Sequence, residues 1–438
     1  MKLRFFHFVL AASLLSMSAC DEKDSGYIAS VTDTYITSLY PSSGLIKDII
    51  VITGRNFSKV KTENVVEFNG IKAVVLEAEP NRLDVIVPED ATTGNITLTV
   101  KGQKIEGPKF SIIEQVSNYI VSTVAGATTF GFVDGDGLNA RFRNPDGILI
   151  DLNGDLIITD RTNHSIRRMT PTGFVTTVAG TGMAGYAEGK PGQFRFPWQS
   201  TLDKSGNIIV VEKDGARIRK ISRDGTVSTL AGTGTLGFQD GAASVARFNQ
   251  SLDAVSDSEG NIFVVDRDNR RIRKISPNGI VSTFAGDGTT AIFTQPIALT
   301  IDKQDNLFVS DASRIKMISK AGVITTIAGS TKGYDDGTAG EPLTAKLGDI
   351  FGLNFDNAGN LLLADASNHR VRKITPGTGK DWTKATVTTI AGTGTAGKTD
   401  GLGHAATFNQ PYDVIVDAQG AIYVADNINN CIRKIIYK

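Results

Sequence analysis

VSTVAG at Val121–Gly126 returns five times: VTTVAG from Val175, VSTLAG from Val227, VSTFAG from Val281, ITTIAG from Ile324 and VTTIAG from Val387. Between the copies runs a second phrase: a strand ending in Asp, a D-x-x-G-N turn, an apolar strand ending in an acid, then N-H-x-I-R-K. The turn begins at Asp151, Asp203, Asp257, Asp302, Asp356 and Asp417, a spacing of 45 to 61 residues. Such a period, with several short strands per unit, is the signature of a β-propeller blade. In the first unit the strands are expected at Gly147–Asp151, Leu156–Asp160, Ile166–Met169 and Phe174–Ala179. Gly and Asn stand at the hairpin positions that need positive φ, and β-branched residues fill the strands. No blade buries both faces alone, so stability comes from stacking around an axis.

The sixth unit ends at Ile432-Arg433-Lys434-Ile435 with no fourth strand after it, while Tyr119–Gly126 precedes the first complete blade. The expected closure puts that N-terminal strand on the outside of blade six, which removes two open sheet edges. Six blades are therefore expected. The pattern D-x-x-G-N-[apolar]-x-V-x-D-x-x-N-H-R-I-R-K-I resembles the NHL repeat, whose family forms six-bladed propellers, over residues 119–438. Unit four departs from it, because Ser310-Asp311-Ala312-Ser313-Arg314-Ile315 lacks the Asn-His turn. Unit five carries an insertion, Thr378–Lys384.

Upstream, residues 34–113 change to short alternating strands at eight-to-twelve-residue spacing, as in an immunoglobulin-like sandwich. Among these are Ile49–Gly54, Val65–Gly70, Arg82–Pro88, Asn95–Lys101 and Phe110–Ile113. The run P-x-S-G…I-x-I-x-G-x-N-F…V-x-F-N-G…V-P resembles the IPT/TIG domain. The expected fold is thus all-β: an Ig-like β-sandwich followed by a six-bladed β-propeller. Residues 1–19 combine Lys2 and Arg4 with an apolar run Phe5–Leu15 and small residues before Cys20, which reads as an export signal. The junction resembles a bacterial lipobox, implying lipidation of Cys20, a polar tether over residues 20–33, and a soluble protein held at the outer membrane.

Lys+Arg 46 against Asp+Glu 46 gives a net charge of zero, which provides no electrostatic footprint for nucleic acid. Outside the signal no apolar run is long enough to span a bilayer. With Cys20 lipidated, Cys431 is left as a buried, inert thiol. Of four histidines, His7 lies in the signal, His164 and His369 in the repeat turns, and His404 in a loop, so no three-histidine metal site is expected. No G-x-S-x-G elbow is present. No cofactor is expected, with a calcium ion held by carboxylates and carbonyls left open.

Two charged rings recur with the blades: Asp160, Glu212, Asp266, Asp311, Asp365, Asp426, and Arg167, Arg219, Arg273, Lys316, Arg372, Arg433. A position alike in every blade serves the blade, so these are expected to cap turns and pair across the hairpin. A ligand site is to be sought where blades differ. Five residues before each D-x-x-G aspartate stand Asp146, Trp198, Leu252, Ile297, Phe351 and Tyr412, and next to them Gly147, Gln199, Asp253, Ala298, Gly352 and Asp413. Aromatic platforms beside Gln199, Asp253 and Asp413 suit a sugar. The alternative is that Trp198, Phe351 and Tyr412 plug the axis. Blades also differ in the connections between them, where Phe132, Tyr186, Phe238 and Tyr334 precede an acid-Gly pair and the short Asp287–Ile292 lacks the motif.

The architecture resembles cell-surface lipoproteins of glycan-foraging Gram-negative bacteria. That resemblance implies glycan capture for an outer-membrane transporter. The alternatives are a protein-docking scaffold and a propeller-type lyase or hydrolase.

Overall fold

A computed structural model describes residues 33–46, 48–88, 91–113 and 118–438. The signal and nearly all of the tether, including Cys20, lie outside the described residues.

The N-terminal module packs two sheets. One orders Tyr35–Tyr40, Ile49–Arg55, Arg82–Ile86 and Val74–Glu79. The other orders Ser43–Gly44, Gln103–Ile112, Gly94–Val100, Asn64–Phe68 and Ile71–Lys72. Alternation decides which side chains meet: Ile50, Ile52, Leu83 and Val85 from one sheet face Val66, Phe68, Ile96, Leu98 and Phe110 from the other. The strand expected only from Phe110 starts at Gln103. Lys101 and Gly102 both take positive φ, so a two-residue hairpin seats Gln103 directly opposite Val100.

Each repeat folds into one antiparallel blade. In blade one the strands run Pro145–Ile150, Leu156–Asp160, Ser165–Met169 and Phe174–Ala179 from axis to rim. Six such sheets close the ring, and Tyr119–Gly126 pairs antiparallel with Cys431–Tyr437, from Tyr119 opposite Tyr437 to Gly126 opposite Cys431. The first propeller strand is therefore the outermost full strand of the last blade, as its missing partner implied. Beneath the connection into each blade a side chain is fully buried: Phe142, Phe194, Phe248, Phe293, Leu347 and Phe408. Each joins an apolar cluster that fills the wedge between neighbouring blades.

The insertion in blade five lengthens a hairpin: its third strand runs Arg370–Gly377 and its fourth Asp381–Ala391. Trp382 on that extension packs against Phe308 and Phe355, with ring centroids 5.0 and 6.2 Å away. In blade four Ala312 takes the positive φ that His164, Ala216, Arg270, His369 and Asn430 supply in the other blades. The turn thus closes without the Asn-His pair. Cys431 is fully buried, and burial pushes its thiol pKa up, as expected for an inert core thiol.

Candidate functional site

The two charged rings form one buried device per blade. Arg167, Arg219, Arg273, Arg372 and Arg433 are 0% exposed. Each donates to the acid that ends the second strand: Arg167 to Asp160 at 2.8 Å, Arg219 to Glu212 at 3.3 Å, Arg273 to Asp266 at 2.6 Å, Arg372 to Asp365 at 3.0 Å and Arg433 to Asp426 at 2.8 Å. Burial lifts these carboxylates against the pull of the guanidinium, Asp160 to about 6 and Glu212 to about 7. The connecting loops supply a third member. Asp134, Asp240, Asp336 and Asp400 accept from the same arginines and from backbone N–H groups of Thr177, Thr283, Thr389 and Thr123 in the outer strand. Phe132, Tyr186, Phe238 and Tyr334 cap those guanidiniums at 4.8–5.1 Å. Blade four, whose connection lacks the motif, keeps only Lys316 with Asp311 at 2.7 Å. The acid–arginine pairs brace each blade against its incoming connection and are themselves buried.

The two turn histidines are spent similarly. His164 and His369 sit at the left-handed turn position, and their Nδ1 atoms accept the Phe196 and Gln410 N–H of the next blade, each at 3.1 Å.

Where the blades differ, the inner strands begin. Trp198, Leu252 and Ile297 are 7%, 2% and 2% exposed and close the axis, with Phe351 and Tyr412 partly buried against them. Phe351 stacks on Tyr412 with centroids 4.4 Å apart and planes at 13°. Tyr412 also lies 6.0 Å from Trp198. The five side chains therefore plug the channel at one mouth, and of the three aromatic rings Phe351 and Tyr412 keep more access from outside. Above Trp198 stand two cations, the Arg161 guanidinium at 5.1 Å and the Lys213 ammonium at 4.5 Å from the ring. Both belong to turns between second and third strands, so those turns and the start of the inner strands share one face. Asp146, the sixth member of the ring, is 1% exposed. Its Oδ2 lies 2.6 Å from Arg161 Nε, and burial pushes its pKa up to about 8.

One residue further along, Gln199, Asp253 and Asp413 are 5%, 6% and 4% exposed and turn into the channel beneath the plug. Each carboxylate clips neighbouring blades. Asp413 accepts Val414 N–H of its own strand and Ile148 N–H of blade one, both at 2.8 Å. Asp253 accepts Ala254 N–H and Leu299 N–H of blade four, both at 2.7 Å. Where Gly147 and Ala298 carry no such side chain, hydroxyls of Thr159 and Ser310 make the equivalent bridge to Trp198 and Ile350 carbonyls. Burial drives both carboxyls up, Asp413 to about 7, and the Asp413 charge adds to the rise at Asp253. These residues line an axial cavity of about 430 Å³ that runs to the far ends of the inner strands at Leu202, Ser256, Ile301 and Val416. Among the described residues no three His, Cys, Asp or Glu side chains converge to hold a metal ion.

Of the residues proposed from sequence, then, Phe351 and Tyr412 reach the mouth and Trp198 lies under two cations. Gln199, Asp253 and Asp413 line the channel below. Arg161 and Lys213 were missed: the sequence places their turns on the face where the inner strands start, but not their side chains over the Trp198 ring.

Residues 34–119 match the IPT/TIG domain family. Over 343 residues the chain is 26% identical to NHL repeat-containing protein 2 of Homo sapiens, covering 70% of this chain and 41% of that protein. Over 326 residues it is 26% identical to Protein SUPPRESSOR OF QUENCHING 1, chloroplastic, of Arabidopsis thaliana, covering 66% of this chain and 30% of that one. The chain thus spans less than half the length of these curated relatives. An auxiliary nutrient binding protein from Bacteroides ovatus superposes with a TM-score of 0.58 at 19% identity, covering 93% of this chain and 98% of that one. A second, from Bacteroides thetaiotaomicron, gives 0.57 at 17% identity, with 92% and 97% covered. At that identity the likeness is one of fold, an IPT/TIG sandwich followed by an NHL-type propeller.

Proposed function

We propose that this chain is a lipid-anchored recognition module of the cell envelope that binds a glycan at the plugged mouth of its propeller. The observation that carries this reading is where the blades differ. The repeated polar residues are consumed inside the blades, whereas the plugged mouth is asymmetric, with the Phe351–Tyr412 stack on one side and cations over Trp198 on the other. A partly accessible aromatic stack ringed by polar turns suits the C–H face of a sugar and its hydroxyls. The shared fold with two proteins described as auxiliary nutrient binding proteins supports a role in capturing nutrient. The lipobox-like junction at Cys20 supports attachment to the outer membrane, where captured glycan would pass to a transporter.

Affinity electrophoresis of the mature chain against a polysaccharide panel tests the reading. Retention by at least one polysaccharide, weakened about tenfold by Tyr412→Ala, is expected from the loss of about 1–2 kcal/mol of stacking. Failure to bind any glycan would overturn it. A second reading, protein docking, has its own observation. Phe130, Phe132, Tyr186, Phe238 and Tyr334 are 40–59% exposed on four of the six connections, apolar surface that the blades leave uncovered.

A further inference from the structure

Two positions on this face break the six-fold pattern in the same direction. The residue after the second-strand acid is Arg161, Lys213 and Arg267 in blades one to three, but Ala312, Ala366 and Asn427 in blades four to six. The residue two before each inner strand is Arg143 and Arg195 in blades one and two, then Asn249, Thr294, Gly348 and Asn409. A position that served only the blade would be alike in all six. Five cations are gathered on one half of the mouth in a chain whose net charge is zero.

The structure brings them together. Arg161 and Lys213 share one indole, each within about 5 Å of the Trp198 ring. Burial and the positive charges of Arg267 and Arg161 all push the Lys213 ammonium below its ordinary pKa, opposed by Asp214 and Asp146. Burial, and then the charges of Arg143, Arg161 and Arg195, lower the His164 pKa below its ordinary value. Beside the blade acids Asp160 and Glu212, which accept the backbone N–H groups of Arg143 and Arg195, three further carboxylates stand near the five cations. Asp146 is the buried partner of Arg161, with a pKa of about 8. Asp214 accepts from Gln250 at 3.2 Å, and Asp268 lies 3.7 Å from Arg267. Lys213, Arg143 and Arg195 have no carboxylate within ion-pair distance among the described residues, and Arg143 and Arg195 are exposed. A half-buried ammonium beside two guanidiniums and without an anion of its own is an electrostatic vacancy for one.

We infer that this arc is an anion subsite and that the glycan taken at the mouth is an acidic one, bearing carboxylate or sulfate groups. The inference rests on the glycan reading of the same face. The Phe351–Tyr412 stack would hold a sugar ring across the mouth, while Lys213 and Arg267 receive the acidic substituent with charge-assisted hydrogen bonds. Arg143 and Arg195 extend the positive field outward along the bound chain.

Affinity electrophoresis of the mature chain should use matched pairs: polygalacturonate with its methyl ester, and chondroitin sulfate with its desulfated form, beside a neutral polysaccharide panel. Retention by an acidic member at least tenfold stronger than by its neutralised or desulfated counterpart is expected. Retention should weaken steeply between low and high salt, and Lys213→Gln and Arg267→Gln should each raise the dissociation constant at least tenfold with the melting temperature unchanged. A neutral glycan bound in a manner sensitive to Tyr412→Ala, but indifferent to Lys213→Gln, would overturn the acidic-ligand inference and leave the glycan reading standing. No binding to any polysaccharide would overturn both. Equal retention by poly-glutamate would show an unselective anion surface and also overturn the inference.

Discussion

A methyl group at Gly147 would fall on Oε1 of Gln199, one blade further round the ring. Gly352 stands in the same relation to the Asp413 carboxylate of the blade that follows it. The inner strands are therefore keyed in pairs, a glycine on one blade making room for a channel-lining side chain on the next. Gly147 does not take positive φ, so its requirement is for space and not for backbone freedom. Gly147→Ala is expected to cost about 1–3 kcal/mol, the cost of overpacking, with the loss substantially reduced in a Gly147→Ala/Gln199→Ala double variant. Denaturant unfolding of the four proteins in that cycle measures the coupling. Additive losses would show that the two residues do not share the space.

Closure of the ring should govern the stability of all six blades. Deleting residues 119–126 removes the strand paired along the whole length of Cys431–Tyr437, together with buried Val121 and Ala125. A single cooperative transition lowered by about 10 °C or more is expected, since several kcal/mol shift a domain of this size by that much. An unchanged melting temperature would mean that the ring holds without the strand.

The buried arginines make a graded prediction across blades. Asp266→Ala strips the 0% exposed Arg273 of its buried 2.6 Å partner, leaving it only the part-exposed Asp240, and should cost about 3–5 kcal/mol. Asp311→Ala in blade four should cost about 1–3 kcal/mol, because the Lys316 side chain is 13% exposed and its ammonium can reach water. Calorimetric unfolding of both variants checks the order, and equal losses would contradict it.

The channel carboxyls give the protein a pH signature. Burial raises Asp413 from its ordinary 3.8 to about 7. Between those values the folded chain keeps a proton that the unfolded chain has released, so this group's stabilising contribution falls as pH rises from about 4 to about 7. Asp413→Asn cannot titrate. It should melt lower at pH 5, having lost an acceptor for the Ile148 or Val414 N–H, but decline less toward pH 8 than the parent. Melting curves across that range with parallel slopes would show that Asp413 does not carry the effect.

The fold could be read in the sequence because its units are local. Each D-x-x-G turn closes on its own aspartate, as Asp151 does on the N–H groups of Asn153 and Asp155 at 2.8 and 3.0 Å. The unpaired phrase Tyr119–Gly126 and the three-stranded last repeat could likewise be matched by counting. Arg273 reaches Asp266 diagonally across its hairpin, since the register sets Arg273 opposite Val264 and Arg271 opposite Asp266. What escaped was set by how the connections and blades pack together. Asp240 lies in the connection entering blade three, and only the folded loop shows that its carboxylate joins Arg273 to Thr283. Arg161, Lys213 and Arg267 are separated by 52 and 54 residues in the chain, and only ring closure brings them to one arc. Trp198 was legible as a member of the inner ring, but whether its face was open or covered depended on side chains from two other turns.

The central claim is that recognition occurs at the plugged mouth, and hydrogen–deuterium exchange on the mature chain tests it most directly. The polysaccharide retained most strongly in electrophoresis serves as the ligand. Slowed exchange is expected at residues 161–164, 213–216 and 267–270 and at the inner-strand starts around Phe351 and Tyr412. The D-x-x-G turns on the opposite face, such as 151–154 and 257–260, should be unchanged. Protection confined to those opposite turns, or to the IPT/TIG sandwich at residues 34–113, would place the ligand elsewhere and contradict the claim.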